Sequence, residues 1–182
     1  MRVVLVVGHE KNKPGSCNED FDICEYEFNK RLTCLVQEYI AENTDFCILR
    51  VFRRTNYSNL PNELNELEPD LIISFHSNAF NKKATGTETL YFHTSSKGRL
   101  CAEVLQNKMV GALSLRNRGI VPRERINPGG HLLANTKAVC LIIEPFFIDN
   151  NADYLTVQAN LDKLALAISS GVEDCKNIIF NN

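Results

Sequence analysis

His9, His76 and Glu144 each follow directly on a short apolar run rich in β-branched residues. Residues 3–7 lead into Gly8-His9, residues 71–75 into His76-Ser77-Asn78, and residues 139–143 into Glu144. Two imidazoles and one carboxylate suit a hydrolytic zinc site, which keeps a fourth position open for water. Zinc lowers the pKa of its bound water to about 7. Glu144 would then be free to act as general base, with a pKa raised by its apolar neighbours Ile142, Ile143, Phe146 and Phe147. The third ligand must come from elsewhere. Glu25 is the candidate, because it opens a helical stretch behind a loop over 10–24 that is long enough to return the helix start to the strand ends. Glu10 and Glu27 lie close by, and the pattern alone leaves them open. Each residue also has a plainer reading: a hydrogen-bonded histidine behind a strand, a buried ion-paired glutamate, an acidic residue in a first helical turn.

The elements that would position these groups are legible from periodicity. The three apolar runs read as strands buried on both faces, as in a parallel sheet, and 46–52 and 87–93 read as further strands. If the first three are parallel, His9, His76 and Glu144 leave the sheet on one edge, where open α/β sheets bind ligands. Helical spacing over 25–42 puts Phe28, Leu32, Leu35, Val36 and Tyr39 on one face. Further helices are expected over 60–68, 96–115 and 153–170, the last with Asp153 capping or preceding its first turn. This alternation predicts a single α/β domain with helices on both sheet faces. The main loops are 10–24 and 122–137. His131 lies in the second, beside Pro128-Gly129-Gly130, within reach of a substrate, whereas His93 reads as a structural or rim residue.

Length and composition bound the function. The chain has 182 residues, 44% of them apolar, with 20 Lys+Arg against 22 Asp+Glu. That balance argues against nucleic-acid binding by bulk electrostatics. No stretch approaches the length of a membrane span, and the five-residue apolar run at the N-terminus is too short for a signal-peptide core. The expectation is synthesis in the cytoplasm without a signal peptide. Seven cysteines, an odd number without CxxC spacing, read as reduced and partly buried thiols, with Cys47 and Cys140 inside apolar runs. Cys24, beside Glu25, would lie near a metal held there. The sequence assigns no oligomeric state.

Taken in order, several motifs resemble one family: Gly8-His9, Glu25-x-x-x-Asn29, residues 74–79 (Ser-Phe-His-Ser-Asn-Ala), residues 86–91 (Gly-Thr-Glu-Thr-Leu-Tyr), and Glu144-x-x-Phe147-x-x-Asn150-x-x-Asp153. They are similar to the zinc-dependent N-acetylmuramoyl-L-alanine amidases of the amidase-3 type, which include cell-division and sporulation enzymes and phage endolysins. The resemblance runs from residue 3 to about 170. It implies His9, Glu25 and His76 as zinc ligands, Glu144 as the catalytic glutamate, and a mixed, mostly parallel sheet of about six strands. The implied reaction is hydrolysis of the amide between N-acetylmuramic acid and the L-alanine of the peptidoglycan stem, with peptidoglycan as partner. Asn78 is a candidate to touch substrate or brace a ligand. Two departures bear on loop shape: Glu10-Lys11-Asn12 stands where the family continues with glycine, and Phe146 and Asp149 stand where it commonly carries Gly and Ser.

Without a leader, the expected setting is an endolysin-like enzyme that meets the wall after release. The rival readings are another zinc peptidase cutting within the stem peptide and a non-catalytic peptidoglycan-binding domain.

Overall fold

The apolar run at the N-terminus forms β1 (Arg2–Val7), and its side chains divide between two hydrophobic clusters. Val3 and Leu5 pack into one, Val4 and Val6 into the other, and all four are sealed from solvent. Successive side chains of a strand point to opposite faces, so a continuous apolar run needs cover on both. The structure, a computed structural model, describes residues 1–52 and 56–181. After β1 come a small hairpin of β2 (Cys17–Asn18) and β3 (Ile23–Cys24), then α1 (Glu25–Asn43), β4 (Cys47–Phe52), α2 (Leu60–Glu66) and β5 (Leu71–Phe75). The chain continues through β6 (Thr87–Phe92), α3 (Ser96–Leu113), β7 (Asn117–Arg123), α4 (Gly130–Asn135), β8 (Val139–Glu144), α5 (Asn151–Ala159) and α6 (Leu161–Phe180).

Six strands form one sheet in the order β4-β1-β5-β8-β6-β7. The first four are parallel; β6 runs antiparallel to β8, and β7 parallel to β6. This is the single α/β domain with a mostly parallel, mixed sheet that the sequence led us to expect. Its two faces are covered unequally. On one, α1, α3 and α6 bury Phe28, Leu32, Leu105, Met109, Leu164 and Ile168 against Leu5, Ile73, Leu141 and Ile143. On the other, the short α2 and α4 contribute Leu60, Leu64, Leu132 and Leu133. Each fully buried large aliphatic or aromatic side chain stabilises by about 1.5–3 kcal/mol. Most of that anchoring therefore lies under the three long helices, and the thinly covered face has room for a cleft.

Several local expectations are corrected. The helix expected over 153–170 is two helices, parted at Asn160, whose φ of -122° and ψ of 23° are not helical. Asp153 is not the cap. Asn150 is, its side chain accepting from the Ala152 and Asp153 N–H groups. Asp153 instead turns inward and accepts from the Thr85 hydroxyl and from the Gly86 and Phe147 N–H groups. The loop over 122–137 contains the end of β7 and all of α4. Strand β7 carries no strand-like pattern because Asn117, Arg118, Gly119 and Pro122 interrupt it, a composition suited to an edge strand.

The cysteine reading fails at one pair. Cys17 and Cys24 lie opposite each other in the β2–β3 ladder, Cα atoms 4.0 Å apart, and form a disulfide. Only the hairpin brings them together. The other five are free thiols; Cys140 is buried as expected, whereas Cys47 is exposed because β4 is the sheet edge. Among the described residues, no helix is long and apolar enough to cross a membrane.

Candidate metal centre and catalytic cleft

Parallel pairing aligns Val7 with Phe75 and Phe75 with Ile143, so β1, β5 and β8 release His9, His76 and Glu144 on one sheet edge. The Gly8 N–H donates to the Phe75 carbonyl at 3.0 Å. A Cβ on Gly8 would stand 2.2 Å from that oxygen and 2.8 Å from the His76 ring. Only glycine allows this approach. His9 follows with φ 65°, in the left-handed region that non-glycine residues seldom occupy. Its ring meets that of His76 edge-on, centroids 4.9 Å apart.

Glu25 arrives from the other side as the first residue of α1. Its N–H donates to the Ser16 carbonyl at 2.9 Å, and the Ser16 N–H donates back to Oε1 at 2.9 Å. The Ser77 N–H donates to Oε2 at 3.2 Å. That same oxygen lies 3.1 Å from His9 Nε2 and 3.6 Å from His76 Nδ1. One nitrogen or oxygen from each residue falls within 4.8 Å of the others, a grouping able to hold a cation. Burial pushes the Glu25 carboxyl upward in pKa, but hydrogen bonds from His76 and His9 and their charges outweigh it and hold the group well below the usual carboxylate range. Gly15 makes this crowding possible: at φ 83°, a Cβ there would come within 2.9 Å of Glu25 Oε1. One helical turn beyond Glu25, buried Asn29 accepts from the Ser77 hydroxyl at 3.3 Å. The four-residue spacing thus braces the segment that carries His76.

Glu144 lines a cavity of about 240 Å³ together with His9 and His76; Leu90, Ile142 and Tyr57 form further wall. Across the β6–β8 ladder it stands directly opposite Glu88. Burial, then the charge of Glu88 and a hydrogen bond to it, push the Glu144 carboxyl up to about 8, against a smaller pull from Arg123. Glu88 is itself held on two sides. Arg118 Nε donates to its Oε2 at 2.7 Å, and Asn78 Nδ2 donates to its Oε1 at 2.9 Å. The Arg118 guanidinium stacks 4.9 Å above the buried Phe147 ring.

The sequence of residues 3–174 matches the family described as N-acetylmuramoyl-L-alanine amidase, Amidase_3. The chain belongs to this family. Among curated proteins, it is 32% identical over 98 residues to an uncharacterized cell wall amidase of Bacillus anthracis; the alignment covers 46% of this chain and 16% of that protein. The chain thus spans about a sixth of the relative it matches. Solved amidase structures share the fold. An N-acetylmuramoyl-L-alanine amidase from Clostridium difficile 630 superposes with a TM-score of 0.86 at 21% identity, covering 100% of this chain and 98% of that one. The catalytic domain of the amidase CwlV from Bacillus (Paenibacillus) polymyxa gives 0.84 at 20% identity, with 97% and 98% covered. An endolysin catalytic domain targeting Clostridia difficile gives 0.81 at 24% identity, with 96% and 97% covered.

Within this amidase fold, the residues singled out from sequence separate into three groups. His9, Glu25 and His76 converge, and Glu144 lines the cavity that His9 and His76 border. Asn78 lies one step back, gripping Glu88. His131 does not line the cavity but sits behind Tyr57, ring centroids 5.6 Å apart: its Nε2 contacts the Ser58 carbonyl at 3.1 Å and its Nδ1 the Asn135 amide at 3.2 Å. His93 is exposed at the end of β6. The two family departures have structural partners. Phe146 packs edge-on against Phe28 in the core, and Asp149 accepts from the Phe80 and Lys82 N–H groups, shaping the loop before β6. Glu88, Arg118 and Arg123 were missed. Glu88 stands in the motif of residues 86–91, but only the strand order pairs it with Glu144; the two arginines lie on β7, which the sequence pattern does not reveal.

Proposed function

We propose that residues 1–182 act as a catalytic domain: a zinc-dependent N-acetylmuramoyl-L-alanine amidase that cleaves the amide joining the lactyl group of N-acetylmuramic acid to L-alanine in peptidoglycan. The observation that carries this reading is the convergence of His9, Glu25 and His76 on one point beside the carboxyl of Glu144. Two imidazoles and a carboxylate form a donor set suited to catalytic zinc, and every cysteine lies outside it. A zinc ion held there would lower the pKa of a water molecule to about 7 and polarise the scissile carbonyl.

The remaining chemistry falls to the chain itself. Glu144 takes the proton of the attacking water and returns it to the departing alanine nitrogen. Its raised pKa suits both transfers, since a group poised near neutrality can accept and release a proton in turn. Glu88, clamped by Arg118 and Asn78, keeps Glu144 in that range. Ser16 and Ser77 fix the Glu25 carboxylate, so the ligand set is organised before substrate arrives. We further propose that the enzyme is lytic and acts on the wall in the manner of an endolysin.

Purified sacculi test the reading. The zinc-loaded protein should release intact stem peptides with free L-alanine amino termini, with a fall in turbidity, and Glu144→Gln should retain zinc and release them about 10²–10⁴-fold more slowly. New termini within the stem would identify a stem peptidase instead. Sacculus binding without any new amino terminus would identify a wall-binding domain.

A further inference from the structure

Among the described residues that line the cavity, Arg123 is the one Lys or Arg, and the proposed chemistry leaves it unused. It ends β7 and pairs with Phe92, at the opposite end of the strand from Asn117. Its side chain nevertheless lines the same cavity as Glu144, His9 and His76. Its Nε is buried and makes no hydrogen bond among the described residues. Arg118, by contrast, is committed to Glu88. A buried donor without an acceptor is costly, and native proteins rarely keep one without a purpose. The groove continues from this cavity over β6 and β7, past Glu88, Arg116 and Arg118.

We propose that Arg123 is a specificity-determining residue that receives a carboxylate on the peptide side of the scissile amide. This rests on the amidase reading above. The glycan of such a substrate consists of neutral N-acetylated sugars, and the lactyl carboxyl is consumed in the amide itself. Free carboxylates therefore lie on the stem peptide. A cavity of about 240 Å³ is smaller than the roughly 300–1,000 Å³ of sites that enclose a drug-sized ligand. The carboxylate that Arg123 reaches while the amide sits beside Glu144 thus belongs to the residue next to L-alanine. Arginine suits this task, because its planar fork matches a carboxylate with two parallel hydrogen bonds. The stem peptide would run from the metal centre toward β6 and β7.

The test uses two disaccharide peptides that differ only at the second stem residue, one with a free carboxylate and the other with a carboxamide. The wild-type zinc-loaded enzyme should favour the carboxylate in kcat/KM by about 10–100-fold, with the difference carried by KM. Arg123→Ala should reduce turnover of the carboxylate substrate to the carboxamide level, and Arg123→Lys should restore part of the preference. Zinc content and a thermal melt verify that the variants are folded. Equal kcat/KM on both substrates in the wild type would overturn the proposal. So would an Arg123→Ala variant that loses activity on both in proportion and keeps the preference, because the residue would then act only on Glu144 or on the fold. If the wild type leaves the muramoyl–alanine bond intact in both peptides and in sacculi, the amidase reading itself falls, and this inference falls with it.

Discussion

The two halves of the candidate site are built on different principles. The histidine half joins neighbours: β1 and β5 are adjacent parallel strands, α1 follows β1 in the chain, and backbone N–H groups of Ser16 and Ser77 hold the Glu25 carboxylate. The glutamate half also joins adjacent strands, β8, β6 and β7, but there side chains supply the contacts, with Asn78 and Arg118 gripping Glu88 opposite Glu144. The electrostatic results are opposite. Glu25, surrounded by imidazoles, is held in its ionised form, whereas Glu144, shielded and facing a second carboxylate, is pushed toward its neutral form. Backbone donors and cations favour a charge, while burial and a like charge oppose it. One site thus contains a carboxylate suited to binding a cation and another suited to carrying a proton.

The largest effects should come from exchanging these roles. Glu144→Gln should lower muropeptide cleavage by about 10²–10⁴-fold with one zinc per chain retained, whereas His76→Ala should lose zinc and activity together; elemental analysis beside product chromatography separates the two. If Glu144→Gln also lost zinc, the division between the halves would be wrong. Next comes the histidine half's packing. Gly8→Ala drives a Cβ against the Phe75 carbonyl and should cost about 1–3 kcal/mol in urea unfolding, together with weakened zinc binding. Opening the Cys17–Cys24 bridge, in a Cys17→Ser/Cys24→Ser variant, should cost about 2 kcal/mol by the loop-closure argument. That loss should appear in thermal melts of the metal-free protein.

The smallest effects concern pH. Glu88→Gln removes the charge opposing ionisation of Glu144, so the acid limb of the pH–rate profile should move to lower pH; an unmoved limb would detach Glu88 from the base. Stability of the metal-free protein should carry both signs. Glu144, raised in the fold from 4.5 to about 8, contributes stability that is full below its unfolded value and lost as pH rises through about 8. Glu25, lowered in the fold, contributes stability present above its unfolded value and lost as pH falls toward its folded one. Melting temperatures across the pH range should therefore decline at both ends, and Glu144→Gln should flatten the alkaline side alone.

The same division explains what could be read in advance. Val3–Val7, Leu71–Phe75 and Val139–Ile143 announced strands because a strand buried on both faces must be apolar throughout, and the polar residue ending each one marked the edge. The motif ending in Asn150 and Asp153 was visible as a pattern, but its purpose was not. Asn150 caps α5 and Asp153 ties Phe147 to the Gly86 turn, so both fix the backbone around the motif. His131 had a suitable type and stood beside Pro128-Gly129-Gly130, yet α4 commits its ring to Ser58 and Asn135.

The amino-acid sequence by itself determined which groups stand at the strand exits, His9, His76 and Glu144, and hence the candidate chemistry of that edge, because periodicity is a local property that each segment carries alone. It could not determine that β6 enters the sheet antiparallel beside β8 with β7 at the edge. Strand neighbours are chosen by the packing of the whole chain, which no single segment contains. That choice sets Glu88 against Glu144, assigns Arg118 to Glu88, and leaves Arg123 facing the cavity without a partner for its Nε among the described residues.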